Sequence, residues 1–264
     1  MECNEKMKRR PFPVCELLGV PVSVTTMERV TDYLENHIEE LRGQYICVGN
    51  VHTTVLAFED ADYMRVQQGA AFVLPDGKPL SVLSRKRGFL QAARVAGPDL
   101  MRQMFLKGAE GNGLRHFFYG AAEETLKQLE EKLKVQYPGL QIAGMYAPPF
   151  RNLTKEENTK IISLINDAGP DIIWIGLGAP KQENWMAEHE GQLLGVMLGV
   201  GAGFDFHAGT VKRAPKWMQR LSLEWLFRLT QDPKRLWRRY FITNRKFIKE
   251  TAKEDHIGKR GEYR

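Results

Sequence analysis

Short apolar runs alternate with longer amphipathic stretches along the first four fifths of the chain. Runs rich in branched and aromatic residues predict strands, and stretches with apolar residues every three to four positions predict helices. The predicted strands are 45–49, 70–77 (running into a loop at its end), 115–121, 140–146, 171–178 and 193–201, and the predicted helices are 53–69, one beginning at 79, 123–137, 154–169 and 180–190. This alternation predicts an α/β fold, in which helices cover both faces of a mostly parallel, Rossmann-like sheet.

The last fifth of the chain differs in composition from the rest. Residues 212–264 hold 16 of the 38 lysines and arginines but only 6 of the 32 acidic residues, a local net charge of +10, whereas residues 1–211 carry −4. We therefore predict an α/β body at 1–211 and a basic, aromatic-rich helical appendage at 212–264. Such a charge asymmetry indicates a polyanionic partner, either nucleic acid or an anionic membrane surface.

Prolines at 215 and 233 divide the appendage into two predicted helices, because proline is tolerated in a first helical turn. Apolar residues recur in them at four-residue intervals: Trp217, Leu221, Trp225 and Leu229, then Trp237 and Phe241. Large apolar side chains on one side of a basic helix are typical of a helix that lies in a membrane interface. For the first helix, packing against the body with its arginines reaching water is an equal alternative.

The cysteine content and the length of the apolar runs indicate the compartment in which the protein acts. Three cysteines are too few and too scattered for a disulfide framework or a zinc site, which favours a reducing compartment. The basic N-terminus is not followed by the apolar run of a signal peptide, and no stretch reaches the roughly 18 apolar residues needed to span a bilayer. We therefore expect a cytoplasmic protein, peripheral at the inner face of the cell membrane.

Five polar or glycine-bearing loops follow predicted strands and should converge on one crevice. In parallel sheets, ligands bind where loops leave the carboxyl ends of the strands. These loops are 48–54, 74–80, 118–124, 175–183 and 199–209. For any single loop, glycines that simply make a tight turn are an equally good explanation.

Asp76 is the leading candidate for chemistry at this crevice. It follows a predicted strand directly and stands between Pro75 and Gly77, so a rigid turn would project its carboxylate into the crevice. There it could act as a general base or hold a substrate hydroxyl. The alternative is an Asx-turn, because Asp-Gly is a common turn pair.

Two of the loops suggest a phosphate site. Gly120 and Gly178 each stand between a strand and a helix start, where backbone N–H groups favour an anion. Neither loop matches G-x-G-x-x-G or the P-loop pattern. Gln182, at the start of the next helix, could hydrogen-bond a sugar or a base. The neighbouring Glu183 could serve only to cap this helix.

Other polar side chains lie at comparable positions. Asn50 and Asp205 each follow a strand, as Asp76 does, and Arg94 precedes a predicted capping turn from which it could neutralise a diphosphate. Arg238, in the second appendage helix, could grip a diphosphate through bidentate hydrogen bonds. Solvation at the surface is the alternative for both arginines.

Some residues that suggest a metal site are better explained otherwise. Asp60 and Asp62 form a D-x-D pair, which holds a metal in many sugar transferases, but they fall within a helical pattern where positions i and i+2 diverge. His52 and His207 have no partner at metal-ligand spacing. We therefore expect no metal site and no cofactor.

Seven motifs, in order along the chain, together resemble one family. They are P-D-G at 75–77, R-x-x-G-x-D at 94–99, G-L-G-x-P-K-Q-E at 176–183, G-V-G-x-x-F-D-F-x-A-G at 199–209, R-A-P-x-W at 213–217, E-W-L-x-R-L at 224–229 and P-x-R-L-x-R-R-Y at 233–240. The chain resembles the WecG/TagA/CpsF family of bacterial glycosyltransferases over residues 15–245. So many ordered motifs are far more specific than any single glycine loop.

The resemblance implies an inverting, metal-independent hexosyltransferase that acts in the synthesis of teichoic acid, capsule or exopolysaccharide. Its donor would be a UDP-sugar, most often UDP-N-acetylmannosamine, and its acceptor a sugar on a polyprenyl diphosphate at the cytoplasmic membrane face. The alternative within the class is another UDP-sugar, such as UDP-glucuronate. The resemblance also implies a catalytic body with a C-terminal appendage; assembly of several copies is left open.

The family's functional residues map onto this chain motif by motif. Its proposed catalytic base maps onto Asp76, and its substrate-binding residues onto Asn50, Arg94 and Gln182. Its appendage arginines map onto the series that contains Arg213, Arg220 and Arg238. We therefore expect the appendage to close over the crevice at the membrane and to add an arginine to it.

Two other classes of protein were weighed against a transferase. A nucleic-acid-binding protein would use the basic appendage as its footprint, but its tryptophans and leucines form apolar stripes instead of lying singly among polar residues. A nicotinamide-dependent oxidoreductase would fit the alternation of strands and helices. It is disfavoured because no G-x-G-x-x-G with an acidic residue about 20 positions on is present.

Overall fold

A single mixed sheet with helices on both faces forms the body. The computed structural model describes residues 10–215, 217–218, 223–231 and 233–261. Its strands are β1 Val14–Leu17, β2 Val20–Ser23, β3 Tyr45–Gly49, β4 Phe72–Pro75, β5 Arg115–Gly120, β6 Gln141–Tyr146, β7 Ile172–Gly176 and β8 Val196–Gly199. Their order is β1-β2-β4-β3-β8-β7-β5-β6, and every neighbouring pair is parallel except β1 with β2. The predicted α/β class with a mostly parallel sheet is confirmed.

The helices connect these strands and then continue into the appendage. They are α1 Met27–Asn36, α2 Val51–Glu59, α3 Ala61–Gly69, α4 Lys78–Lys86, α5 Gly97–Ala109, α6 Glu123–Gln136, α7 Lys155–Asp167, α8 Lys181–Glu188, α9 Gly203–Ala208, α10 Glu224–Gln231 and α11 Pro233–Gly261, with a 3-10 turn at Ile38–Leu41. Two large clusters of buried apolar residues pack the helices onto the sheet. Among the described helices, none is long and apolar enough to cross a membrane.

The stretch predicted as one helix at 53–69 is two helices. Asp60 ends α2 and caps α3, because its backbone is extended and its carboxylate accepts hydrogen bonds from the backbone N–H groups of Asp62 and Tyr63. An aspartate at this position stabilises a helix start. The prediction that the D-x-D pair lies within one helix is therefore wrong, since Asp60 is the capping residue between two helices.

The hairpin of β1 and β2 was not predicted. Its strands have four residues each, too few for a clear alternating pattern, and its turn consists of Leu18 and Gly19. Both turn residues have positive φ angles, 53° and 82°, as a tight two-residue hairpin turn requires. The hairpin extends the sheet beyond β4 with an antiparallel edge.

The second half of α11 packs against the body. Phe247 is buried with Leu18, Val51 and Val55, and Glu254 accepts a hydrogen bond from the Leu18 N–H at 3.0 Å. Arg87 forms ion pairs with Glu254 and with the neighbouring Asp255. Removing residues 212–264 would therefore expose apolar surface on α2, so point substitutions test the appendage more cleanly than truncation does.

Candidate active site

The ends of β3 and β4 bring Asn50 and Asp76 together. Gly49 pairs with Pro75 in the register of these strands, and the Asp76 N–H donates to the Gly49 carbonyl at 2.8 Å. Gly77 lies so close to Asn50 that a side-chain carbon at 77 would stand 3.5 Å from the Asn50 Cα. The predicted convergence of these two strand ends is present.

Asn50 already has a local structural role at the crevice. Its side-chain oxygen accepts hydrogen bonds from the backbone N–H groups of His52 and Thr53, and Thr53 reciprocates in a capping box. This arrangement stabilises the start of α2 and fixes the Asn50 side chain at the strand end. The predicted substrate contact of Asn50 would have to come from the amide nitrogen.

The Asp76 carboxylate begins a chain of alternating charges. Asp76 Oδ1 accepts from the Arg94 guanidinium at 3.2 Å, and Arg94 also reaches the Asp76 backbone carbonyl. The same guanidinium lies 3.0 Å from Glu224 Oε2 on α10. Arg94 thus pairs with the Asp76 carboxylate, a contact that the sequence did not predict, and its expected role at a diphosphate stays a prediction.

The chain of charges continues from Glu224 back to the body. Arg213 lies 3.1 Å from Glu224 Oε1 and forms a bidentate pair with Asp99 at 2.6 and 2.8 Å. Bidentate arginine–carboxylate pairs are geometrically specific and stronger than neutral hydrogen bonds. We call Asp76, Arg94, Glu224, Arg213 and Asp99 the charge chain; it links the body to the appendage next to Asp76.

The surroundings of Asp76 favour its protonated form more than water does. Burial raises the pKa of Asp76, and the negative charge of Glu224 acts in the same direction, whereas Arg94 and Arg228 lower the pKa. Its side chain is nevertheless 29% exposed, so a substrate can reach it. A base with a raised pKa accepts a proton more readily, which suits general base catalysis near neutral pH.

The acid limb of the pH–rate profile should report this shift. Because a general base must be ionised, we expect kcat/KM to fall as the pH drops through a pKa above the ordinary aspartate value of 3.8. Glu224→Gln removes a negative charge that raises the pKa of Asp76, so the acid limb should move to lower pH. A limb that stays in place, or moves to higher pH, would contradict this electrostatic coupling.

Arg228 is a second appendage cation near the crevice. It lies 4.9 Å from the centre of the Phe206 ring, and Arg213 lies 5.9 Å from the same ring. Its charge acts on Asp76. Phe206 therefore holds two appendage arginines by cation–π contact at the side of the crevice.

The remaining predicted residues are distributed around the same sheet edge. Gly120 at the end of β5 has a φ of 126°, and a side chain there would lie 2.6 Å from the Gly176 backbone, so only glycine fits. Gly178 has a φ of 77° and accepts the Gln182 N–H. Asp205, in the first turn of α9, accepts from the Thr210 hydroxyl at 3.2 Å.

Gln182 and the two other appendage arginines stand apart from the charge chain. Gln182 is 3% exposed, and its amide bonds Gly201 and Glu183, so in this structure it is turned to the protein and not to the crevice. Arg238 is exposed on α11, and Arg220 lies outside the described residues. The binding roles of these three residues stay predictions.

The contributions of Glu224 and Asp99 to the site were not predicted. Glu224 belongs to the motif E-W-L-x-R-L and Asp99 to R-x-x-G-x-D. The spacing within these motifs does not indicate that each residue has an ion-pair partner more than 100 positions away in the sequence. Burial acts to raise the pKa of both carboxyls. Arg213 outweighs this effect and holds each pKa below the ordinary value. Two carboxylates that remain charged thus fix Arg213, and Glu224 also pairs with Arg94 beside Asp76.

A cavity of about 600 Å³ lies further along the sheet edge, beside the ends of β5 and β7. Its walls include the aromatic rings of Tyr119 and Trp185 and the basic side chains of Arg151 and Lys181. Aromatic rings and cations together suit a nucleoside with attached phosphates. Within the described residues, no group of three or more His, Cys, Asp or Glu is arranged to hold a metal ion.

Fold and crevice together define a Rossmann-like α/β protein with a partly exposed carboxylate and arginines at the carboxyl edge of its sheet. The sequence model of the glycosyl transferase WecG/TagA/CpsF family matches residues 15–261. The chain therefore belongs to this family and is a glycosyltransferase. The resemblance found from the motifs is confirmed.

Curated relatives cover most of the chain. A Bacillus subtilis (strain 168) protein is 34% identical over 223 residues, 84% of each chain. A Bacillus spizizenii (strain W23) protein is 31% identical over 97% of this chain and 96% of its own. A Staphylococcus aureus (strain MW2) protein is 30% identical over 84% of this chain and 87% of its own. All three are named N-acetylglucosaminyldiphosphoundecaprenol N-acetyl-beta-D-mannosaminyltransferase.

Proposed function

We propose that this glycosyltransferase moves N-acetylmannosamine from its UDP derivative to an N-acetylglucosamine carried on a polyprenyl diphosphate. The names of the relatives supply the sugar and the acceptor. The observation that carries the mechanism is Asp76, a partly exposed carboxylate with a raised pKa that pairs with Arg94 and is acted on by the charge of Arg228. Another UDP-sugar, such as UDP-glucuronate, remains the alternative donor.

The proposed reaction is a single displacement at the anomeric carbon. Asp76 takes the proton of the acceptor hydroxyl while that oxygen forms a bond to the anomeric carbon. The bond from this carbon to the diphosphate breaks at the same time, and UDP leaves with the electron pair. Since attack comes from the face opposite UDP, an α-linked donor gives a β-linked product, in agreement with the product that the relatives' names specify.

The negative charge that develops on UDP needs a positive partner. Arg94, Arg213 and Arg228 are the cations gathered beside Asp76. Arg94 and Arg213 are neutralised by carboxylates, whereas the described contact of Arg228 is the ring of Phe206. We therefore assign the leaving diphosphate chiefly to Arg228, because preorganised charge in a crevice stabilises a transition state.

The cavity beside β5 and β7 is the best place for the nucleoside. In the strand order, β4 and β7 are three steps apart, which is about 14 Å at the usual spacing of strands. An extended nucleotide-sugar covers such a distance, so the uridine can lie in the cavity while the sugar reaches Asp76. Screening purified protein against a panel of UDP-sugars, with a lipid-diphosphate-linked acceptor, tests donor and acceptor together.

The exposed side of the appendage suits contact with an anionic membrane. Trp237, Phe241 and Ile248 are 61%, 56% and 66% exposed on α11, next to a groove that Arg245 and Lys249 also line. Apolar side chains flanked by cations bind to lipid interfaces through burial and charge together. This surface would bring the crevice to a lipid-linked acceptor.

Replacing Trp237 and Phe241 with serine should weaken binding to vesicles that contain anionic phospholipid. Burying one such side chain contributes about 1.5–3 kcal/mol, so we expect a loss of roughly tenfold or more in cosedimentation. Phe150→Ser, at a phenylalanine that is 91% exposed on the body, is the matched control and should bind as the wild type does. Equal binding by the double variant would exclude this surface as the membrane contact.

A further inference from the structure

The Gln182 side chain is enclosed between α8 and the loop that follows β8. Its Oε1 accepts the backbone N–H of Gly201 at 3.0 Å. Its amide also packs on the end of β8, where a side-chain carbon at Gly199 would lie 3.0 Å from Nε2. Gln182 thus fixes the position of the loop at residues 199–203.

The orientation of this amide follows from the donors and acceptors around it. A backbone N–H can only donate, so Gly201 requires the oxygen of the Gln182 side chain. The nitrogen must then point the other way, where it donates to Glu183 Oε1 at 2.8 Å. If this acceptor were removed, a buried amide nitrogen would lose its partner, and the favoured orientation would lose its support.

Glu183 is an acidic residue buried in the protein interior. It is 1% exposed, and burial raises the pKa of its carboxyl above the ordinary value, against the opposing effects of Gln182 and Tyr63. The groups described as facing it are the Gln182 amide, the Tyr63 hydroxyl and the Cys47 thiol, none of which is a cation. Burial without a nearby cation thus favours the protonated form of Glu183 more than water does.

The second oxygen of Glu183 faces the Tyr63 hydroxyl. Among the described residues, Oε2 and the Tyr63 hydroxyl have no hydrogen-bond partner of good geometry, yet they lie beside each other. The Tyr63 hydroxyl can donate to Oε2 of the carboxylate or accept from the protonated acid, and in either form Oε1 accepts from Gln182. One residue then satisfies both neighbours.

The loop that Gln182 fixes adjoins the active crevice on two sides. Val200 packs against Gly97 at the start of α5, where a side-chain carbon would lie 3.4 Å from the Val200 backbone, and Arg94 is three residues before Gly97. On its other side the loop leads into α9. This helix carries Phe206, whose ring contacts Arg213 and Arg228. A shift of this loop would therefore move groups on both sides of Asp76.

We infer that Glu183 is a positioning residue for sugar transfer: its Oε1 orients the Gln182 amide, which holds the loop at 199–203 in the conformation that the crevice requires. The inference rests on the proposed function, since its effect is measured as transfer. Glu183 itself touches neither substrate nor the reacting atoms.

Two substitutions separate positioning from stability. Glu183→Leu removes the acceptor for Gln182, and we expect kcat to fall by roughly tenfold to a hundredfold, because small misplacements in an active site are costly. The KM for the donor should change by no more than about threefold. The Tm should fall by only a few degrees, because the buried Gln182 amide nitrogen loses its acceptor, so the variant stays folded at the assay temperature. Glu183→Gln keeps one acceptor and one donor, so kcat should remain within about threefold.

Met186→Leu is the matched control. Met186 is buried on the same helix and also touches Gly199, but it has no polar link to Gln182, so this variant should keep full turnover. If Glu183→Leu keeps more than half of the wild-type kcat, or if Glu183→Gln loses as much as Glu183→Leu, the inference is wrong. Should Glu183→Leu not fold, the Glu183→Gln result alone decides whether a neutral side chain suffices. An inactive wild type would instead count against the proposed function.

Discussion

Asp76→Asn should lower kcat for sugar transfer by about 10²–10⁴-fold, the usual contribution of a general base. The amide has the shape of the carboxylate but cannot take the acceptor's proton. It still accepts a hydrogen bond from Arg94, so the crevice keeps its architecture. Steady-state kinetics with donor and lipid-linked acceptor measure the loss, and titration with UDP should give a Kd within about threefold of the wild type.

A surface aspartate provides the control for this result. Asp62, whose side chain is 83% exposed on α3, can be changed to asparagine without touching the crevice, and turnover should not change. If Asp76→Asn retains a tenth or more of the wild-type kcat, Asp76 is not the base. If its UDP affinity collapses instead, Asp76 serves donor binding and not proton transfer.

Arg228→Ala should reduce kcat by about 10²–10³-fold, as removal of one preorganised charge from a transition state does in other enzymes. Arg228 is the appendage cation that acts on Asp76 while its described contact is an aromatic ring, so its charge is available to the leaving diphosphate. Loss of the cation also removes a group that lowers the pKa of Asp76. The acid limb of the pH–rate profile should therefore move to higher pH.

Two further variants show whether charge or position matters at Arg228. Arg228→Lys keeps the charge but loses the planar fork, so it should recover part of the lost rate. Arg245→Ala removes an exposed arginine from the groove on the other appendage helix and should leave kcat on a water-soluble acceptor unchanged. A wild-type rate for Arg228→Ala would exclude Arg228 from charge stabilisation at the reacting centre.

The sequence predicts the strands and helices of the body correctly where they depend on neighbouring residues alone. The apolar runs 45–49 and 171–178 contain buried strands, and the predicted helix at 154–169 begins at a capping box of Thr154 and Glu157. The hairpin of β1 and β2 has too few residues for periodicity to register. The split at Asp60 was missed because the apolar pattern continues through the capping residue.

Part of the candidate site could also be predicted, because it depends only on the order of strands and loops along the chain. Strand ends of a parallel sheet share one edge, so the meeting of Asn50 and Asp76 followed from the order of elements. Ion pairs between distant segments depend on tertiary packing, and for this reason Glu224 was quoted within a motif without a role. The buried position of Gln182 was missed similarly, because a polar residue at a helix start gives no local sign of burial.

The most direct test of the account is the product formed from UDP-N-acetylmannosamine and a short polyprenyl-diphosphate-linked N-acetylglucosamine, with EDTA present and the linkage assigned by NMR. A single displacement with Asp76 as base and arginines as the charged partners of UDP predicts a β-linked disaccharide at an undiminished rate. The Asp76→Asn variant assayed alongside should give almost none. An α-linked product, or transfer that EDTA abolishes, would contradict the account.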